Sequence, residues 1–223
     1  MDYRVISIGT LSRHPFWKET AGLRTPHATT TLIRSEDRVI LVDPSLPPPV
    51  IAARLNERSG LTPQAVTDIF LTNFRPAHRM GLTAFMHAQW WISEAERESV
   101  GPALIELLQR DLEPDRRKQV EHEIALLQRC QVAPDTLAEG VDLFPLPGYT
   151  AGTSGLLLPL SQATVLIAGD AVPTSEHLER GQVLQNAADV ERAVESMREA
   201  IEIADWIIPG HDNITPNLAR RMM

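Results

Sequence analysis

Apolar and polar positions alternate only over short stretches of the chain. Residues 3–9 (YRVISIG), 29–35 (TTTLIRS), 38–43 (RVILVD), 67–72 (TDIFLT), 88–93 (AQWWIS), 155–160 (GLLLPL), 163–170 (ATVLIAGD) and 205–210 (DWIIPG) are rich in β-branched or aromatic residues and bounded by turn formers, which predicts strands. Residues 49–60, 79–87 and 187–204 instead carry apolar positions at helical spacing. Hairpin-like turns at 35–38 (SEDR) and 161–163 (SQA), combined with strand–helix units elsewhere, predict an α/β fold with a mixed sheet.

The stretch 94–132 has a different texture. Val100, Leu104, Leu107 and Leu108, then Val120, Ile124 and Leu127, mark two amphipathic helices broken near residues 113–115 (EPD). They read as a helical insertion between strands, either a packed surface hairpin or a lid or dimerisation arm over a pocket, and homodimerisation is the oligomeric state this allows. Trp90 and Trp91 fall on opposite sides of a strand, so one is expected in the core and the other against a partner or the helical pair.

At 223 residues and 43% apolar content the chain can bury a sizeable core, and one domain over 1–223 is the expected organisation. Net charge is −8, with basic residues only in small groups such as 116–118 (RRK) and 220–221 (RR), which argues against nucleic acid as a partner. No run approaches the length of a membrane span and the start has no leader-like pattern, so no membrane association is expected. The single cysteine, Cys130, is expected on a helix without a partner, which fits a reducing cytoplasm.

The chemistry concentrates in loops at predicted strand ends: 43–45 (DPS), 72–78 (TNFRPAH), 169–170 (GD) and 209–211 (PGH). Strand ends are where α/β folds gather ligands, so these loops, joined by the glycine-bearing 146–155 (LPGYTAGTSG), are expected to face one pocket. Asp43 is expected to satisfy backbone N–H groups there. His27 is a candidate substitute ligand or an ordinary surface or core histidine, and His14, His87, His122 and His177 carry no spacing signal.

The order TTTLI, VILVDPS, DIFLTNFRPAHRMGL, PLPGYTAGTSGLLL, TVLIAGDAV, IIPGHD resembles the metallo-β-lactamase superfamily over almost the whole chain. The resemblance implies an αββα sandwich of two mixed β-sheets flanked by helices, with a metal site along one edge. It implies hydrolase chemistry on lactams, lactones, thioesters or phosphoesters. The family's HxHxDH motif falls on residues 73–78, where only His78 is kept. Its next histidine falls on Tyr149, its bridging aspartate on Asp170 and its last histidine on His211. Asn73, Arg75 and Tyr149 therefore stand where the first metal site would have three histidines, and Ala77 stands where the second would have an aspartate.

What the resemblance leaves is a set of His78, Asp170 and His211, of the type that holds one zinc or iron ion. A guanidinium at Arg75 about 5 Å from such an ion would repel it by ~6 kcal/mol at an effective dielectric of ~20. Such repulsion favours a metal-free network in which Arg75 pairs with Asp170 and replaces the metal charge. Two functions follow. In the first, a divergent hydrolase retains at most one metal, with Tyr149 or Asn73 donating to a developing oxyanion. In the second, a catalytically inactive binding protein recognises a small polar or anionic molecule through Arg75, Tyr149, Asn73 and His78.

Overall fold

The computed structural model describes residues 1–218, so the Arg220–Arg221 pair lies outside the described residues. Two six-stranded mixed sheets stack face to face. The first runs, in spatial order, β1 (Asp2–Ser7), β2 (Thr30–Ser35), β3 (Arg38–Val42), β4 (Asp68–Leu71), β5 (Gln89–Ile92) and β6 (Cys130–Val132). Its first three strands pair antiparallel, and β3 to β6 pair parallel. The second contains β7 (Thr136–Ala138), β8 (Val141–Pro145), β9 (Ser154–Pro159), β10 (Thr164–Gly169), β11 (Trp206–Pro209) and β12 (Thr215–Pro216), with β10 and β11 parallel and the other pairs antiparallel.

Alternation along the central strands decides the layers. Leu41 and Ile69 face the helices α1 (Pro48–Ser59), α3 (Glu94–Leu108) and α4 (Pro114–Arg129), while Ile40, Val42 and Phe70 face the second sheet. In the second sheet Val165 and Ile167 face the first, and Leu166 packs under α6 (Val190–Ile203). The result is the αββα sandwich that the resemblance implied. Each fully buried aliphatic side chain in these layers contributes about 1.5–3 kcal/mol. In α6, Asp189 caps the first turn by accepting from Arg192 N, and Ala193, Met197, Ala200 and Ile201 form the buried stripe.

The helical pair of 94–132 forms the crossover from β5 to the parallel β6. Leu104, Val120 and Leu127 are buried against the first sheet, so the apolar stripes find their partner within the chain. Both tryptophans are also used internally: Trp90 is buried under the helices, and Trp91 packs between the sheets with its Nε1 donating to Asp68 Oδ1 at 2.7 Å.

Two expectations need correction. Residues 79–87 are not one helix but follow the single turn α2 (Pro76–Arg79) with a 3-10 turn at Leu82–Phe85, because Gly81 N donates to Pro44 O at 2.7 Å rather than to its own helix. Cys130 opens β6 instead of lying within a helix, since the exposed edge of β5 takes it as a partner for Trp90. The strands β6, β7 and β12 and the helix α5 (Ser175–Arg180) are too short for periodicity to mark them, and β8 carries Val141, Leu143 and Phe144 without a clean alternation. Among the described residues no helix is long and apolar enough to cross a membrane.

Candidate functional site

Four strand ends deliver polar residues to one edge of the sandwich. Asp43 follows β3, Thr72 and Asn73 follow β4, Asp170 follows β10, and His211 lies two residues beyond β11, while α2 supplies His78. Asp43 adopts φ 50°, a left-handed conformation that Asp tolerates better than most residues. Gly169 has φ 53°, and a Cβ there would lie 2.7 Å from Thr72 Oγ1, so glycine lets β10 turn Asp170 in beside Thr72.

His78 is fully buried at the centre. Its Nδ1 lies 2.9 Å from Asp43 Oδ2, and its Nε2 lies 2.7 Å from Asp170 Oδ2. Thr72 fixes Asp43 by donating from its N–H to Oδ1 at 2.9 Å and from its hydroxyl to Oδ2 at 2.7 Å. Asp43 thus does satisfy a backbone N–H, and it also orients the site histidine. Burial alone would lower the His78 pKa, but the carboxylates of Asp170 and Asp43 outweigh it and hold it up to about 10. In that state both ring nitrogens donate, one to each carboxylate.

Asp170 is equally buried. Burial would raise its pKa, but His78 and His211 outweigh that and hold it well below the usual carboxylate range. Oδ2 accepts from His78 and from Asn73 Nδ2 at 3.0 Å. Oδ1 faces His211 Nε2 at 2.9 Å, off the line that a hydrogen bond requires, and so is a buried oxygen without an aligned donor. His211 Nδ1 donates to His27 O at 2.9 Å. His27 therefore serves the site through its backbone, as the acceptor that orients His211.

The ligand atoms of His78, Asp170 and His211 lie within 4.8 Å of one another, and this is one possible three-residue metal site. The residues fit a single zinc or iron ion. Both histidines tie Nδ1 outwards to an oxygen and turn Nε2 inwards, as outer partners do for metal-ligating histidines, and Asp170 Oδ1 has acceptor capacity to spare.

A cavity of about 260 Å³ opens over Asp170 and His211, with Ser12, Arg13, Arg75, Tyr149 and Asn186 in its wall. Arg75 is exposed, and its guanidinium carbon lies 5.6 Å from the centroid of the Tyr149 ring. It does not reach Asp170: among the described residues no ion pair joins them, because the shorter, fully buried Asn73 already occupies that carboxylate. Asn73 is in turn not free to act as an oxyanion donor, since its Nδ2 is committed to Asp170 and its Oδ1 accepts from Arg75 N at 3.0 Å. Burial, with Asp170 adding to it, pushes the Tyr149 hydroxyl up to about 12, so it keeps its proton at neutral pH.

Two groups at the site escaped sequence reasoning. The buried carboxylate of Glu96 accepts from Phe74 N at 2.8 Å, Thr150 Oγ1 at 2.6 Å and Gly152 N at 3.1 Å, clamping the loops that carry Asn73 and Tyr149 to the start of α3. The Ser-x-x-Glu spacing of Ser93 and Glu96 signals a helix start, and Ser93 does cap α3, but nothing in it shows where the glutamate reaches. His14 stacks on Trp17 at 4.2 Å and lies 2.9 Å from Glu176, and His177 Nδ1 bonds to Thr174 Oγ1 at 2.8 Å. Together they strap the irregular segment containing Leu11, Ser12 and Arg13 over α5 as one wall of the cleft.

Solved structures with this fold include a Thermotoga maritima protein, 16% identical with a TM-score of 0.71 over 96% of this chain and 98% of that one. AidC, a dizinc quorum-quenching lactonase held with N-hexanoyl-L-homoserine, is 17% identical with a TM-score of 0.65 over 82% and 72%. A variant of AiiA from B. thuringiensis, with N-decanoyl-L-homoserine at its active site, is 21% identical with a TM-score of 0.61 over 85% of each chain. Metallo-beta-lactamase domain-containing protein 1 of Xenopus laevis is 36% identical over 74 residues, 33% of this chain, and the match spans only 31% of that relative's length. The sequence profile of the Metallo-beta-lactamase superfamily matches residues 24–211, from the segment before β2 to the last site histidine, and the chain belongs to that superfamily.

Proposed function

We propose that this chain is a divergent hydrolase of its superfamily that has lost the first metal site, retains at most one ion at His78, Asp170 and His211, and acts on a small polar or anionic molecule. The observation that carries this reading is the orientation of the two histidines: each anchors Nδ1 on an oxygen outside the site and presents Nε2 to Asp170, whose Oδ1 lacks an aligned donor. When bound, a zinc or iron ion supplies Lewis acidity and lowers the pKa of a water. The protein's own groups then divide the remaining work. Arg75 and Arg13, at the mouth, attract and hold the anionic end of the molecule. Tyr149, protonated, donates a hydrogen bond to the oxygen on which negative charge develops. Asn73 keeps Asp170 in place and touches no substrate.

A second reading, a metal-free and catalytically inactive binding protein, is favoured by one observation: Asn73 and a doubly donating His78 already give Asp170 Oδ2 its partners. In it the charge role expected of Arg75 passes to His78. Metal analysis of protein purified without chelator separates the two readings. About one zinc or iron per chain, with chelator-sensitive hydrolysis of an N-acyl homoserine lactone or another small ester, supports the first. No metal uptake from excess zinc near pH 8 refutes it and leaves the second.

A further inference from the structure

We propose that a second cleft, sharing no wall residue with the one over Asp170, binds a small amphiphilic anion: a molecule with a carboxylate or phosphate head on a short apolar body. The cleft has a volume of about 460 Å³ and lies between the end of β1 and α1, within the usual range of small-molecule sites. Ile6, Ile8, Leu46 and Val50 form its apolar wall, and Ile8 and Val50 remain 50% and 45% exposed. Arg54 and Arg58 form its polar wall, one helical turn apart and therefore on one face of α1.

Charge makes the position unusual. The chain carries a net charge of −8, yet Arg4 donates to Arg58 O and Arg34 donates to Ser59 O, gathering four guanidinium groups at the last turns of α1. Arg4 and Arg34 are accounted for as donors to the helix's terminal carbonyls. Arg54 and Arg58 are not. The nearest acidic partner is Glu57, 2.8 Å from Arg54, in an exposed pair that an incoming anion displaces at small cost. Cations beside exposed aliphatic surface select an anion that brings its own apolar part over a bare inorganic ion.

The cleft also touches the mechanism. His27 lies in its wall, and the His27 carbonyl accepts from His211 Nδ1 at 2.9 Å. Gly9, next to Ile8, packs so closely that a Cβ would lie 2.6 Å from that same carbonyl oxygen. A ligand that shifts Ile8 or His27 therefore shifts the acceptor that orients His211.

Calorimetric titration of octyl phosphate into the full chain, with inorganic phosphate as a parallel titrant, tests the assignment. Octyl phosphate is expected to bind at one site, about tenfold or more tighter than phosphate, and the Arg54→Gln/Arg58→Gln double variant, exposed at both positions, is expected to weaken it about tenfold. Arg75→Ala should leave it within about twofold. Unchanged affinity in the double variant, or loss in Arg75→Ala, would place the molecule elsewhere and overturn the site. Equal affinity for phosphate would overturn the amphiphile. The imidazole nitrogen resonances of His211 are expected to move at saturation, and unmoved resonances would overturn the link to His27. None of these readouts requires a metal or hydrolytic activity, so failure of the proposed function leaves them interpretable.

Discussion

His78 Nε2 meets Asp170 Oδ2 at 2.7 Å, the distance of a charge-assisted hydrogen bond, in a place where both groups are excluded from water. The other ring nitrogen is held by Asp43 at 2.9 Å, so one imidazolium serves two carboxylates. A divalent ion entering here must displace the proton on Nε2.

Zinc affinity should therefore depend on pH in a defined direction. With His78 held up to about 10, the ligand nitrogen is protonated through the neutral range, and each unit of rise in pH should tighten binding by about tenfold until the curve flattens near that value. Zinc titrations followed by calorimetry between neutral and alkaline pH measure the slope. A flat profile would mean that His78 is neutral in the folded chain.

The same proton links folding to pH when no metal is present. A folded pKa above the unfolded value of 6.5 stabilises the native state fully below 6.5, and this contribution falls away as pH rises towards about 10. Denaturant unfolding of chelator-treated protein should show that decline. Asp43→Asn keeps a residue suited to φ 50° but removes one carboxylate, so the His78 pKa should fall and the decline should shift to lower pH. An unchanged His78 titration by NMR in this variant would show that Asp43 does not support the charge.

Asn73 is the second obstacle to a metal. Its Nδ2 sits 3.0 Å from Asp170 Oδ2 and 3.2 Å from His78 Nε2, placing a donor where an ion would need a lone pair. Asn73→His should raise zinc affinity about tenfold or more, at a stability cost of about 1 kcal/mol for the lost acceptor of Arg75 N. Equal zinc affinity in the variant and the parent would show that residue 73 lies outside any metal's reach.

Strand-end patterning made legible that these loops share one edge, but that His78, Asp170 and His211 converge was legible only because they fall on ligand positions of the resembled family. The two-sheet architecture was legible from motif order, whereas strand patterning alone reached only a mixed sheet. What escaped was long-range and polar. Glu96 lies in a helix-start motif whose local meaning is correct, yet its carboxylate serves loops at Phe74 and Gly152. Asp43 looked like a turn residue, and its second role needed the position of His78. Arg75 was misplaced for a related reason: charge complementarity in sequence said it could reach Asp170, but a buried amide two residues earlier was nearer.

Arg75 closes the comparison between the two readings of the site. A guanidinium beside the ion would cost ~6 kcal/mol at 5 Å and a dielectric of ~20, but Arg75 is exposed and lies over the Tyr149 ring, where solvent raises the dielectric and cuts the repulsion to about 1 kcal/mol or less. Arg75→Ala should therefore raise zinc affinity by no more than about fivefold at fixed pH, instead of by decades. The same substitution should weaken binding of a short carboxylate such as butyrate by about tenfold, because the mouth of the cleft loses its cation. Paired titrations of zinc and butyrate into both proteins decide the matter: a large gain in zinc affinity would return Arg75 to the metal position, and unchanged butyrate binding would remove it from ligand recognition.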